Sequence, residues 1–212
     1  MTARRLVSFA LILSGAILCG MAGLHYLRGF EAQQEARVTF EKALAKRQEA
    51  PALPVLPEGR DLARTGFPLR EPPAYPEGQP IAWLLIPSAQ IDAIVLAGSS
   101  PQVLDKGPGH VPGTELPGRR SGLNNCVITA HRDSYFRNLN RVRKGERIEL
   151  TTPDGLQSYR VVSREVVKAD SVGVLAPTAK PRLTLITCYP FNFVGHAPNR
   201  LVVVAEPEAT NP

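Results

Sequence analysis

Three residues of this 212-residue chain have types suited to acyl transfer: Cys188, His131 and Arg200. Cys188 ends the apolar, β-branched run Leu183-Thr184-Leu185-Ile186-Thr187-Cys188, and Tyr189-Pro190 follows it. Proline cannot donate to a strand ladder, so the strand is expected to stop there and leave the thiol at its mouth. A thiolate is the nucleophile in cysteine catalysis, and it needs a nearby base or cation to form. His131 closes a second apolar run, Asn125-Cys126-Val127-Ile128-Thr129-Ala130-His131, so both side chains can meet at one end of a β-structure. Arg200 stands at the start of a third run, Asn199-Arg200-Leu201-Val202-Val203-Val204. Its guanidinium offers rigid donors for a carbonyl or for the oxyanion of a tetrahedral intermediate. Singly, each residue has an ordinary reading: a core thiol, a satisfied structural histidine and a surface arginine. Together they suggest acyl transfer through a thioester. His110 and His196 lie in Gly/Pro loops and read as solvated or hydrogen-bonding groups.

The elements that must position this set are short strands. Residues 81–87 and 91–98 read as two strands around a turn at Pro87-Ser88. Residues 107–118 form a loop punctuated by Gly and Pro. Residues 125–131 are apolar on both faces and therefore central. Phe136 to Leu139 reads as one helical turn. Further strands fall at 147–152, 157–167, 183–188 and 201–205, with Pro153-Asp154-Gly155 joining the first two of these. Seven or eight short strands without intervening amphipathic helices predict a closed all-β barrel or a sandwich.

Composition narrows the class. The net charge of +6 comes from scattered Lys and Arg, with no basic patch interleaved by aromatics and no zinc-finger spacing, so nucleic acid is not an expected partner. Three cysteines do not make a disulfide framework. A bridge between Cys126 and Cys188 is possible on paper but would silence a nucleophile; Cys126 reads as core packing, and Cys19 falls in the apolar N-terminus.

Residues 6–24 are an uncharged run of 19 residues preceded by Arg4 and Arg5, near the length that spans a bilayer. The cationic N-terminus is expected to stay in the cytoplasm and send the remainder outside. The competing reading is a cleaved signal peptide, with small residues at Gly20-Met21-Ala22. The division expected is an anchor at 1–28, a juxtamembrane helical stalk at 29–50, a Pro-rich linker at 51–80 and a catalytic domain at 81–208. Arg, Glu, Gln, Lys and Ala favour helix in the stalk, but its apolar face is thin, so it is not expected to pack into a core. Eight prolines fall within 51–80, which leaves no apolar periodicity there and predicts a semi-rigid spacer or a strap over the domain.

Thr184-Leu185-Ile186-Thr187-Cys188 resembles the TLxTC signature of the sortase family. Thr129-Ala130-His131-Arg132-Asp133 is similar to that family's catalytic-histidine segment, and Asn199-Arg200-Leu201 to its catalytic arginine. The likeness runs from about residue 81 to 205. Gly107-Pro108-Gly109-His110, Pro112-Gly113-Thr114 and Cys188-Tyr189-Pro190-Phe191 look most like class D sortases. The resemblance implies an all-β, eight-stranded sortase-type β-barrel with short helical turns, here preceded by a single N-terminal transmembrane helix. It implies a membrane-anchored cysteine transpeptidase that cleaves an LPXTG- or LPXTA-like C-terminal sorting signal. Cys188 would attack the Thr carbonyl, His131 would protonate the leaving amine, and Arg200 would stabilise the oxyanion. Ala130, Thr187 and Tyr189 would line the substrate groove. Its partners would be secreted proteins bearing the signal, a cell-envelope amine acceptor, and the bilayer through residues 6–27. Cys126 and Ala130 stand where relatives usually carry an apolar residue and a glycine. No acidic calcium cluster is recognisable, so no metal or other cofactor is expected. Eleven residues separate Cys188 from Arg200, too few for an elaborate selectivity insert.

Other classes fit less well. A papain-like protease places Cys before His, and an L,D-transpeptidase has a Ser-x-Gly-Cys context unlike Leu-Ile-Thr-Cys. A tethered, non-catalytic β-barrel that binds envelope peptides is compatible with the strand pattern, but the His131, Cys188 and Arg200 set speaks against it.

Overall fold

The apolar runs become strands β1 (Pro80–Ile86), β2 (Ile91–Ala97), β3 (Gly109–His110), β4 (Asn125–Thr129), β5 (Arg147–Thr152), β6 (Gly155–Lys168), β7 (Arg182–Tyr189) and β8 (Asn199–Pro207). This computed structural model describes residues 3–49, 75–119 and 122–208, with N-terminal side chains from 7 to 47 except 22, 25 and 26. Most of the Pro-rich segment, 51–74, lies outside the described residues. The strands close into one barrel in the order β1-β2-β3-β4-β7-β8-β6-β5. Closure uses two parallel pairs, β2 with β3 and β4 with β7; the remaining pairs are antiparallel.

Strand alternation divides the side chains into an inner and an outer set. Cys126, Ile128, Leu183, Leu185, Leu201 and Val203 fill the barrel with residues of β1, β2 and β5. Their neighbours Val127, Ile186, Val202 and Val204 form a separate cluster on the outer face of β4, β7 and β8. The segment after β4 plugs one end of the barrel: Phe136, Leu139 and Val142 are fully buried in the inner cluster. Leu139–Arg141 is a 3-10 turn that packs beneath Pro87–Ala89, the turn between β1 and β2.

The two-residue β3 was expected to be loop, because a strand this short leaves no periodicity to read. Its backbone needs glycine. A Cβ on Gly109 would overlap the Gly98 carbonyl, and one on Gly107 would overlap the Gln33 amide and come within 3.0 Å of the Ile94 carbonyl. The Gly-Pro-Gly segment is therefore demanded by close backbone approach. The short helix α2 (Pro101–Leu104), with proline in its first turn, was likewise not foreseen.

Helix α1 (Ala3–Glu49) is continuous and docks along β1 and β2. Ala36 and Phe40 are buried against Ile94, Leu96 and Val103, with Leu44 and Trp83 at the margin. This corrects the expectation of an unpacked stalk. Because β3 is short, most of β2 has an edge without a strand partner, and α1 meets it there. The Gln33 side chain accepts from the Ile94 N–H at 2.8 Å and donates to the Ile94 carbonyl at 3.2 Å and the Lys106 carbonyl at 2.8 Å. Arg37 pairs with Asp92 at 2.6 Å and stacks 4.5 Å from the Trp83 ring.

Among the described residues, no helix is long and apolar enough to cross a membrane. Within the span expected over residues 6–27, the described side chains are those of 7–21, 23, 24 and 27, and the described helix does not support a membrane crossing there.

Candidate active site

The three chemistry-bearing residues leave the barrel at one end and on one face. Cys188 of β7 is directly opposite Arg200 of β8 in an antiparallel register. Thr129 of β4 is opposite Ile186 of β7 in a parallel one, so His131 follows two residues on, level with Cys188. Alternation settles which way each points. Val127 on β4, Ile186 on β7, and Val202 and Val204 on β8 belong to the outer cluster. His131, Cys188 and Arg200 are even-numbered steps from these, so all three project outward, across three adjacent strands. The thiol expected at the end of its strand stands one residue from it, and it faces the outer wall of the barrel.

Local sequence explains why the strand ends hold still. The buried Thr187 hydroxyl donates to the Ala130 carbonyl at 2.7 Å, and the Ala130 N–H donates to the Ile186 carbonyl at 3.3 Å. These bonds tie the residue before His131 to the residue before Cys188. Ala130 and Thr187 were expected to line the groove. The structure buries both, 3% and 1% exposed, where they tie the strand ends together. Tyr189 is half-buried and packs edge-on against Phe191, ring centres 6.2 Å apart.

His131 is 43% exposed, with Nε2 3.8 Å from Asp105 Oδ1, too long for a hydrogen bond. Its neighbour Arg132 donates from Nη2 to the carbonyls of Phe193 at 2.6 Å and Gly195 at 3.1 Å, holding the β7–β8 loop beside the imidazole. Sequence reasoning passed over Arg132; its place directly after the histidine was the available signal. Arg200 Nη1 donates to the Ala197 and Asn199 carbonyls at 3.0 and 2.9 Å, which fixes the guanidinium plane. Among the described residues, its Nη2 and Nε carry no hydrogen bond and can face a substrate oxygen.

Cys126 and Cys188 are unbridged. Cys126 pairs in register with Leu183, five residues from Cys188 along β7, or about 16 Å at strand rise, too far for a disulfide. Burial pushes the Cys126 thiol far above its ordinary range, with the Glu115 charge adding to the effect, so it is inert as a nucleophile. His110 is buried, its Nε2 2.9 Å from the Glu115 carbonyl and 3.1 Å from the Thr114 hydroxyl. Burial lowers its pKa, against smaller upward effects of Glu115, and keeps it neutral near pH 7. Neither residue can take part in chemistry on the outer face.

Two regions adjoin the trio. One is the outer apolar seam of Ile186, Val202 and Val204, which is covered by Val167, Val174 and Leu175 among others. The other is a cavity of about 730 Å³ between α1 and the barrel, lined by Phe30, Gln33, Asp105, His131, Tyr135 and Arg137 among others. Cys188 and Arg200 do not line it. Among the described residues, no cluster of His, Cys, Asp or Glu could hold a metal ion.

The family model for the sortase domain matches residues 84–208 of the chain. A sortase D of Bacillus subtilis is 26% identical over 202 residues, covering 94% of this chain and 96% of its own. Among solved structures, a Clostridium perfringens sortase D5 transpeptidase superposes with a TM-score of 0.61 at 21% identity, over 84% of this chain and 97% of its own. That likeness carries the fold alone. A Streptococcus agalactiae sortase C1 superposes with a TM-score of 0.58 at 29% identity, over 62% and 69% of the two chains. The near-full-length match to a sortase D agrees with the class D features of residues 107–114 and 188–191.

Proposed function

Since the chain belongs to the sortase family of cysteine transpeptidases, we propose that Cys188, His131 and Arg200 are its catalytic residues. The observation that carries this reading is their shared row across β4, β7 and β8 on the outer face. The Cys188 thiolate attacks the Thr carbonyl carbon of an LPXTG- or LPXTA-like signal, and the carbonyl π electrons move to oxygen. Arg200 Nη2 and Nε stabilise that oxyanion. The oxyanion collapses, the C–N bond breaks, and the His131 imidazolium delivers its proton to the leaving amine. A Cys188 thioester results. The neutral imidazole then accepts a proton from the incoming amine as its nitrogen forms the new amide, and the C–S bond breaks to return the thiolate.

Residues 6–27 serve as a single membrane anchor with the N-terminus cytoplasmic, so the catalytic domain acts outside the membrane on secreted chains. The exposed apolar side chains along 7–21 support this, as do Arg4 and Arg5 before them. The transferred chain goes to a cell-envelope amine.

The test is a trap. Full-length protein is incubated with LPXTG and LPXTA peptides and hydroxylamine, and the products are weighed by mass spectrometry. A hydroxamate at the Thr carboxyl, lost in Cys188→Ala, is expected. Intact peptides throughout would overturn the reading.

A further inference from the structure

Helix α1 has a direction relative to the barrel. Gly29 lies beside Asp105 and Tyr135, where its carbonyl accepts from the Tyr135 hydroxyl at 3.2 Å. Arg47, eighteen residues later, pairs with Asp154 at 2.9 Å, in the turn at the barrel's opposite end. Followed backwards, α1 therefore leaves the barrel at the catalytic end. From Gly29 to Leu24, where the apolar run stops, is five residues, or about 8 Å. If that run is the anchor, the bilayer surface begins close to His131.

The chain that caps this end is two-faced. Phe136, Leu139 and Val142 face the core, while Arg137, Arg141, Arg143 and Lys144 between and after them are exposed. Over 132–144 there are five basic residues, these four and Arg132, against Asp133 alone. Among the described residues, the side chains of Arg137, Arg141 and Lys144 make no ion pair or hydrogen bond. At the same end, the β7–β8 loop that Arg132 holds carries Val194, 96% exposed, and Phe193, 43% exposed. Basic side chains with bare apolar tips beside them are what an anionic lipid interface selects.

We infer that the catalytic end of the barrel lies against the bilayer, with Arg137, Arg141, Arg143 and Lys144 on anionic headgroups and Phe193 and Val194 in the interface. This rests on the reading of residues 6–27 as an anchor. The docked helix sets the height of the active site, and the basic cap sets its tilt. The enzyme then meets its substrates at the membrane surface, not at the reach of a flexible tether.

The test uses the full chain in nanodiscs of phosphatidylcholine with or without phosphatidylglycerol, read by hydrogen exchange. Amides of 136–146 and 192–195 should exchange about fivefold or more slowly in the anionic discs at low salt. The slowing should fade near 1 M salt, where screening reaches a few ångströms. The variant Arg137→Gln/Arg141→Gln/Lys144→Gln should lose the slowing while keeping its unfolding midpoint. Equal exchange in both discs would overturn the inference and leave the anchor reading intact. Failure of the protein to co-elute with either disc would sink the anchor and the inference together. Equal slowing by soluble glycerol phosphate without a bilayer would indicate a phosphate site and also overturn it.

Discussion

Cys188 and Arg200 face each other across the β7–β8 ladder, directly opposite in register and both on the outer wall of the barrel. Such partners have Cβ atoms roughly 5 Å apart, so an oxyanion formed at the sulfur falls within reach of the guanidinium. A point charge on a flexible stem does not reproduce that fork. Arg200→Lys should lower kcat/KM for a sorting peptide by about a hundredfold or more, the scale seen when one oxyanion donor is lost. Activity within threefold of wild type, in a steady-state peptide assay, would remove Arg200 from the mechanism.

The proposed mechanism has Thr187 act through the strand end that carries His131. Its hydroxyl donates at 2.7 Å to the Ala130 carbonyl, and both residues are buried. In Thr187→Val that carbonyl loses its donor at a cost of about 1–3 kcal/mol. The expected result is a thermal midpoint lower by roughly 2–12 °C and a drop in kcat with KM little changed. Thr187→Ser, which keeps the donor, should restore kcat. A variant that binds peptide poorly but turns it over normally would instead put Thr187 in the groove.

His110 makes stability depend on pH. Burial holds its folded pKa below the 6.5 of an unfolded histidine, so the unfolded chain binds the proton more readily. This contribution is fully present above pH 6.5 and is lost as pH falls from there through the lowered folded value. Denaturant midpoints of wild type should therefore decline below about pH 6.5. His110→Gln, which keeps an N–H for the Glu115 carbonyl, should flatten that decline. A decline of the same size in both proteins would place the titration elsewhere.

Much of this fold was legible in the chain, and the misses share a cause. The strands around Cys188, His131 and Arg200 announce themselves through β-branched runs, a following proline and a level register. That the trio lies on the outer face was not legible, because β4 and β7 are apolar on both faces and alternation gives no sign of which is inside. The outer face is apolar because the seam of Val127, Ile186, Val202 and Val204 is itself covered. The docking of α1 was missed because Phe40 and Ala36 look sparse as an apolar stripe. The rest of the docking comes from Gln33, on a bare strand edge, and Arg37, over Trp83. Polar anchors of this kind leave no hydrophobic periodicity. Thr187 and Ala130 carry a family motif, but only the structure reveals the hydrogen bond that joins them and their burial.

The α1 contact yields its own expectation. Phe40 is 1% exposed, and truncating a buried phenylalanine costs about 3–5 kcal/mol. Phe40→Ala should release α1 from β1 and β2, seen as faster hydrogen exchange across 29–47. The strands themselves should keep their protection, since Phe40 belongs to a cluster separate from the barrel interior. Uniform loss of protection throughout the barrel would mean that α1 is part of one cooperative core.

The central claim is that Cys188 carries the acyl group. The most direct measurement is acid-quenched peptide mapping of the full-length protein after seconds of exposure to a sorting peptide, without any amine acceptor. The account expects the Cys188 peptide to gain the mass of the signal up to its Thr residue, the adduct to vanish on addition of hydroxylamine, and none to form in Arg200→Ala or His131→Ala. Cleaved peptide with no adduct on Cys188, or an adduct on any other residue, would contradict it.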